Sequence, residues 1–365
     1  MRIRASLHVA ALLTGTSTAS WCQSLPPADC APPPPPDNTL AAIINYPTSS
    51  PSACVRNDIS IQLLINSNVI SNVVAGGFGI GPTTVTPAGV TGLTSEEGAA
   101  RLAGGGPVTI LPTADESVSS PSWNVWIDGK YTWNDHSASA SDLDGPLWNG
   151  MAGMDYRLTD RLTVGVIGTY ENSDLDGPFA SVDFEGWGLG PYVGFLLTDN
   201  IVFSGSVIGS LVDTEETVFT FDSERVQATG AVNGYFYSGT WRFTPGISVS
   251  WSKEWMEENN GLVGDRVLET GLLTPSAQVG NTLALSDSAT VEPWLGAAID
   301  WNFVNSVKQS GIPTDDDPSV DLRLQAGLNF TLGPRAQFSL TGETSGLLLG
   351  DIDTYAGEAN LAIQF

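Results

Sequence analysis

Two histidines, three cysteines and a few acidic runs are the residues in this chain whose types could support covalent or metal chemistry. His8 lies in an apolar stretch near the start. His136 sits in Asp135-His136-Ser137. An imidazole beside a carboxylate and a hydroxyl has the ingredients of a general base serving a lipid or peptide hydrolase. Adjacency in sequence does not make triad geometry, so an exposed loop histidine without a role is the simpler reading and no catalytic residue is assigned. Cys22, Cys30 and Cys54 show no zinc or haem spacing. Cys30 and Cys54 are candidates for a disulfide in an oxidising compartment. Asp315-Asp316-Asp317 and Asp174-Leu175-Asp176-Gly177 offer oxygen ligands to calcium. Neither fits the twelve-residue EF-hand loop, and solvated loop acids explain them as well. No metal and no cofactor is expected.

The elements that would position any site come from side-chain alternation. From Trp123 onward the chain reads as short segments in which apolar and polar residues alternate. In Val320 to Thr331, the residues Val320, Leu322, Leu324, Ala326, Leu328 and Phe330 fall on one face. Asp321, Arg323, Gln325, Gly327, Asn329 and Thr331 fall on the other. Trp241 to Ser252 repeats this pattern, and Ile201 to Leu211 does so more weakly, with Ser204, Ser206 and Ser210 on the polar side. A period of two that sorts oil from water is the pattern of a transmembrane β-barrel. No stretch approaches the roughly 18 apolar residues of a membrane helix.

Twelve candidate strands follow: 123–133, 147–158, 161–171, 183–198, 200–213, 225–238, 240–253, 267–285, 289–303, 319–332, 335–347 and 353–365. Tight connections alternate with longer ones at 134–146, 172–182, 214–224, 254–266 and 304–318, and a shorter one at 348–352. Short periplasmic turns and long outer loops are the habit of outer-membrane barrels. Trp123, Trp133, Trp241, Trp251, Trp301, Phe303, Tyr355 and Phe365 lie near strand ends, where interfacial girdles form. The expected fold is all-β, a twelve-stranded antiparallel transmembrane barrel.

In that geometry Asp128, Lys130, Asp155, Arg157, Arg242, Glu292, Asp300, Arg323, Glu343 and Glu358 take inner positions. An Arg or Lys facing lipid at the midplane would cost about 2–4 kcal/mol. These groups either pair across the lumen as structure or line a path for a threaded segment or solute. The net charge is −26, made of −3 from residues 1–122 and −23 from 123–365. So acidic a surface repels phosphate backbones, and no nucleic-acid partner is expected.

Upstream, residues 1–22 read as a signal peptide: Arg2 and Arg4, an apolar core Val9 to Leu13, then Ser17-Thr18-Ala19. Residues 23–122 are rich in Pro, Ser, Thr and Gly, and Pro32 to Pro36 should form a stiff polyproline spacer. Within them, Ile59 to Val74 is apolar enough to pack. Its first part alternates like a strand, though a helix fits as well. Ser95 to Leu102 resembles a short helix.

The final segment sets Tyr355, Gly357, Ala359, Leu361, Ile363 and Phe365 on one face. It resembles the assembly signal of outer-membrane barrels, which implies the barrel-assembly machinery as its reader around Tyr355, Leu361, Ile363 and Phe365. Trp123-Asn124-Val125-Trp126-Ile127-Asp128-Gly129, Gly186-Trp187-Gly188-Leu189-Gly190-Pro191-Tyr192, Val291-Glu292-Pro293-Trp294 and a size near 240 residues are similar to the translocator domain of autotransporters (type V secretion). That resemblance covers about two thirds of the chain. It implies a monomeric barrel in outer-membrane lipid and lipopolysaccharide, delivered by periplasmic chaperones, with long loops at the cell surface. It also implies an upstream segment that the barrel anchors and exports through its lumen. Residues 23–122 are too few for a large passenger, so passenger, plug or periplasmic spacer all stay open for them. A small porin-like channel with an N-terminal plug is the alternative function.

Overall fold

A strand with one oily and one wet face must, inside a membrane, also pair every backbone group. Closing the sheet on itself meets both demands. The computed structural model describes residues 63–64, 66–75, 78, 85–86, 89–90, 123–136, 144–177, 181–216, 219–259, 264–286, 289–309, 312–315, 318–332, 336–348 and 352–364. The barrel strands are β1 (Trp123–His136), β2 (Gly145–Thr159), β3 (Leu162–Asp176), β4 (Ser181–Thr198), β5 (Ile201–Glu216) and β6 (Phe219–Gly234). They continue with β7 (Trp241–Glu258), β8 (Arg266–Asn281), β9 (Ala289–Gln309), β10 (Ser319–Leu332), β11 (Ala336–Ser345) and β12 (Ile352–Gln364). Each pairs antiparallel with the next. β12 pairs with β1, Gln364 opposite Asn124 and Ile352 opposite His136, which closes the cylinder. Phe236–Ser238 prolongs β6, Leu283–Ser286 prolongs β8, and Ile312–Asp315 folds back onto β9.

One end of the barrel carries the tight turns, as at Thr159 to Leu162 and Thr198 to Ile201. The other end carries the longer loops. There the strands run several residues further than alternation suggests, β5 to Glu216, β7 to Glu258 and β9 to Gln309. At that end the outer face turns polar while the inner face carries apolar residues around Leu63, so the oily-outside alternation no longer marks where the ladder stops. A bulge in β9 adds a second departure. Gly271 pairs with Val304 and Leu272 with Asn302, so Phe303 is skipped. The slip reverses the faces above it and turns Val307 inward.

The outer wall is apolar, with Ile127, Leu189, Val207, Leu211 and Leu295 exposed. Trp123 stacks near Tyr156 at the turn end; Tyr131 with Trp148 and Tyr170 with Trp187 lie toward the loop end. Trp123 and Trp133 are ten residues apart on β1. At about 3.3 Å per residue and roughly 40° of tilt, ten residues rise about 25 Å, the height of the apolar band of such barrels.

The interior holds a helix, α1, described at residues 63–64 and 66–75. The alternating Ile59, Ile61, Leu63 and Ile65 suited a strand, but the pairs Val69-Ile70 and Val73-Val74 recur at helical spacing. A helix pairs its own backbone groups, and an isolated strand inside a closed barrel would have no partner. The segment Ser95 to Leu102 lies outside the described residues.

Candidate functional site in the barrel lumen

α1 runs along the lumen with a defined polarity. Leu63 is fully buried with Leu175, Val182, Phe221, Met256, Leu268, Leu272 and Val307, which come from the loop ends of their strands. At the other end Val74 lies against Gly194, where even a Cβ would collide with the valine methyls. Phe78 carries the guanidinium of Arg157 5.7 Å from its ring centroid, beside the β2–β3 turn. The chain therefore enters the barrel at the loop end and leaves it at the turn end.

The helix has two faces and so does its container. Val69, Ile70, Val73 and Val74 pack with Met151, Ile167, Phe184, Tyr192, Val202 and Ile208, inward residues of β2 to β5. Gly194 leaves the room this contact needs. Ser71 hydrogen-bonds Ser204 at 2.8 Å, and the Asn66 amide donates to Gln227 Oε1 at 3.0 Å. Asn68, Ser71 and Asn72 also border a cavity of about 50 Å³ walled by amides and hydroxyls such as Gln278, Gln325, Asn329 and Ser339. A neighbouring cavity of about 40 Å³ shares Asn72, Asn329 and Ser339 and reaches Asn124 and Gln364. Each has room for a few waters. The apolar residues of the helix thus meet β2 to β5, and the two cavities beside it are walled mainly by β7 to β12.

Buried ion pairs occur at successive heights. Near the turn end, Arg242 Nη2 meets Glu292 Oε1 at 2.7 Å, and the Asn329 amide donates to the same oxygen. At mid-height, Lys130 Nζ lies 2.8 Å from Glu343 Oε1. Arg323 bridges Asp300 at 2.9 Å and Glu343 at 3.1 Å. Asp128 stands across from Asn360, and half-buried Glu358 stands across from Lys130. Asp155 accepts from Tyr192 Oη at 2.5 Å and from the Asn124 amide at 3.1 Å. Arg157 is half-buried beneath Phe78.

Sequence reasoning missed a further set higher up. Arg225 joins Glu171 at 2.5 Å and Glu254 at 2.7 Å, and Arg266 joins Glu216 at 2.6 Å with its guanidinium 4.4 Å from the Phe221 ring centroid. Glu216, Glu254 and Arg266 fall in stretches expected to be loop. Continuing the two-residue period through those stretches would have found them.

Tyr355, Leu361 and Ile363 point outward from β12. Phe365, the His136 side chain, Cys22, Cys30, Cys54 and Asp316–Asp317 lie outside the described residues. Among the described residues no cluster of three or more His, Cys, Asp or Glu could hold a metal ion.

The sequence matches the family described as Autotransporter beta-domain over residues 125–343, about three fifths of the chain. Three solved structures share the fold. The β-domain of the Bordetella autotransporter BrkA has a TM-score of 0.53 at 15% identity, covering 67% of this chain and 100% of its own. The translocator domain of the autotransporter NalP from Neisseria meningitidis has 0.51 at 12% identity, covering 68% and 90%. The transport unit of the autotransporter AIDA-I from Escherichia coli has 0.51 at 13% identity, covering 70% and 93%. No curated protein sequence matches the chain.

Proposed function

Because this chain belongs to the autotransporter β-domain family, we propose that its outer-membrane barrel anchors the segment preceding α1 and carries it outward through the lumen. The polarity of α1 supports this reading. Leu63 lies at the loop end, which faces the cell surface in such barrels, and Val74 at the periplasmic end. Residues before Leu63 then emerge at the surface. Phe78 and Trp123 both lie at the turn end, so the segment joining them is assigned to the periplasm. The mechanism is physical. The barrel supplies a hydrated, charge-lined wall on one side, and α1 ends as the segment that closes the passage. The outward row Tyr355, Leu361 and Ile363 would be read by the assembly machinery.

The polar lining of β7 to β12 favours one second reading, a solute channel with α1 as its plug. Protease sites inserted between Asn38 and Thr39 and between Gly104 and Gly105 separate the two. On intact cells added protease should cut the first site and spare the second. After the outer membrane is permeabilised it should cut both. Protection of the first site in intact cells would overturn export and leave the plug.

A further inference from the structure

The lipid-facing wall is indented between β7 and β11. A groove of about 730 Å³ is bordered there by Trp241, Val279, Leu295, Ala326, Leu340 and Gly342. Val279, Leu295, Ala326 and Gly342 are successive cross-strand partners on the outward face. Side-chain size therefore falls from leucine to alanine to nothing along one ladder row, and the wall drops away. A Cβ on Gly342 would meet only the Ala326 carbonyl oxygen, at 3.9 Å, so the floor is open.

The groove is polar at one end. Trp241, the first residue of β7, pairs with Asn281, the last of β8, at the periplasmic girdle. Gly342 lies six residues up β11 from Ala336. Six residues of tilted strand rise about 15 Å, a little over half of the apolar band. The depression thus runs from the interface to about the bilayer centre and opens into the belt that lipid already covers. Apolar surface there gains nothing from being left bare, and a flexible hydrocarbon chain can follow a curved floor.

We infer that this groove holds one acyl chain of a phospholipid from the periplasmic leaflet, with its headgroup at Trp241 and Asn281. The occupant is a phospholipid and not lipopolysaccharide, because the polar end faces the turn side of the barrel. A chain seated there touches Leu295 and Leu340 as well as the floor, which lipid on a flat wall cannot do. The site is thus selective for an amphiphile that enters from the periplasmic side.

Native mass spectrometry of the full chain, exchanged into mild detergent with added phosphatidylethanolamine, tests this. Wild type should retain one phospholipid under activation that strips the rest. Ala326→Phe with Gly342→Leu should lose it. Gly150→Leu fills an outward position with nothing within 4 Å of its Cβ and should keep it. Heat-dependent gel mobility reports that each barrel is folded, and Ala326→Leu alone replaces the double variant if that one does not fold. A wild type that retains no phospholipid, or lipopolysaccharide in its place, overturns the site. So does a folded, filled variant that retains as much as wild type.

Discussion

Arg323→Met should be among the most destabilising single changes in the lumen, and the geometry says why. The Arg323 side chain is 2% exposed and bridges Asp300 and Glu343. Removing it leaves the two acids in different positions. Glu343 keeps Lys130 at 2.8 Å and the Gln325 amide at 2.8 Å. Among the described residues Asp300 keeps the Thr274 hydroxyl, at 2.9 Å. A buried carboxylate stripped of its cation costs about 3–5 kcal/mol. Lys130→Met orphans no acid so completely, because Glu343 retains Arg323, and about 1–3 kcal/mol is expected. With a urea slope of about 3 kcal/mol per molar, a loss of about 4 kcal/mol lowers the unfolding midpoint by about 1.3 M. Lys130→Met should move it by about half of that. Adding Asp300→Asn to Arg323→Met removes the stranded charge and should restore much of the loss. The measurement is urea unfolding in micelles, followed by tryptophan fluorescence and by heat-dependent gel mobility. Equal shifts for the two single variants, or a further loss on adding Asp300→Asn, would refute the reasoning.

Three shorter predictions test other parts of the structure. Ser71→Cys with Ser204→Cys, with Cys22, Cys30 and Cys54 changed to Ser, should form a disulfide in outer membranes, because the two hydroxyls are 2.8 Å apart; proteolysis between α1 and β1 should then release fragments that separate only after reduction. Val207→Arg places a cation on the lipid face near mid-strand and should cost about 2–4 kcal/mol in refolding titrations, whereas a change below about 0.5 kcal/mol would mean that Val207 does not face lipid. Gly194→Leu should drive Val74 off the wall, weakening protection of residues 66–75 in hydrogen exchange while the strands of β9 to β12 keep theirs.

The barrel was legible in the sequence because a membrane writes its demands at every second residue. Along Val320 to Thr331 exposure alternates, with Leu324 exposed and Arg323 buried, since the other face would put a guanidinium in lipid. The information fades where the contrast between the two faces fades. Glu215, Asp222 and Glu257 lie on strand extensions whose outer face is acidic while the inner face holds Glu216 and the apolar Phe221 and Met256, so the membrane's phase of the alternation is lost there. The Phe303 bulge is silent for a different reason. It changes the phase of the alternation without changing composition, so Val307 and Lys308 exchange faces unseen. Glu171, Arg225 and Glu254 escaped notice as one site because their meeting depends on three strands in register.

The lumen is where local pattern says least, because its lining answers to an occupant and not to a solvent. An inward Ile167, Phe184 or Val202 breaks the rule that a barrel of this kind is polar inside, and the exception makes sense only with α1 in place. The helix is the conformation that the closed ladder permits: every strand already has two partners, so a guest must pair its own backbone. Thirteen residues at about 1.5 Å each give roughly 20 Å, most of the apolar band. Docking then reduces to matching the apolar stripe Val69, Ile70, Val73 and Val74 to β2–β5 while Asn66 bonds Gln227 on β6 and Asn68 and Asn72 border the polar cavities. A barrel closed in this way holds its helix at both ends, Leu63 among the apolar residues of the loop end and Val74 against Gly194 near the turn end.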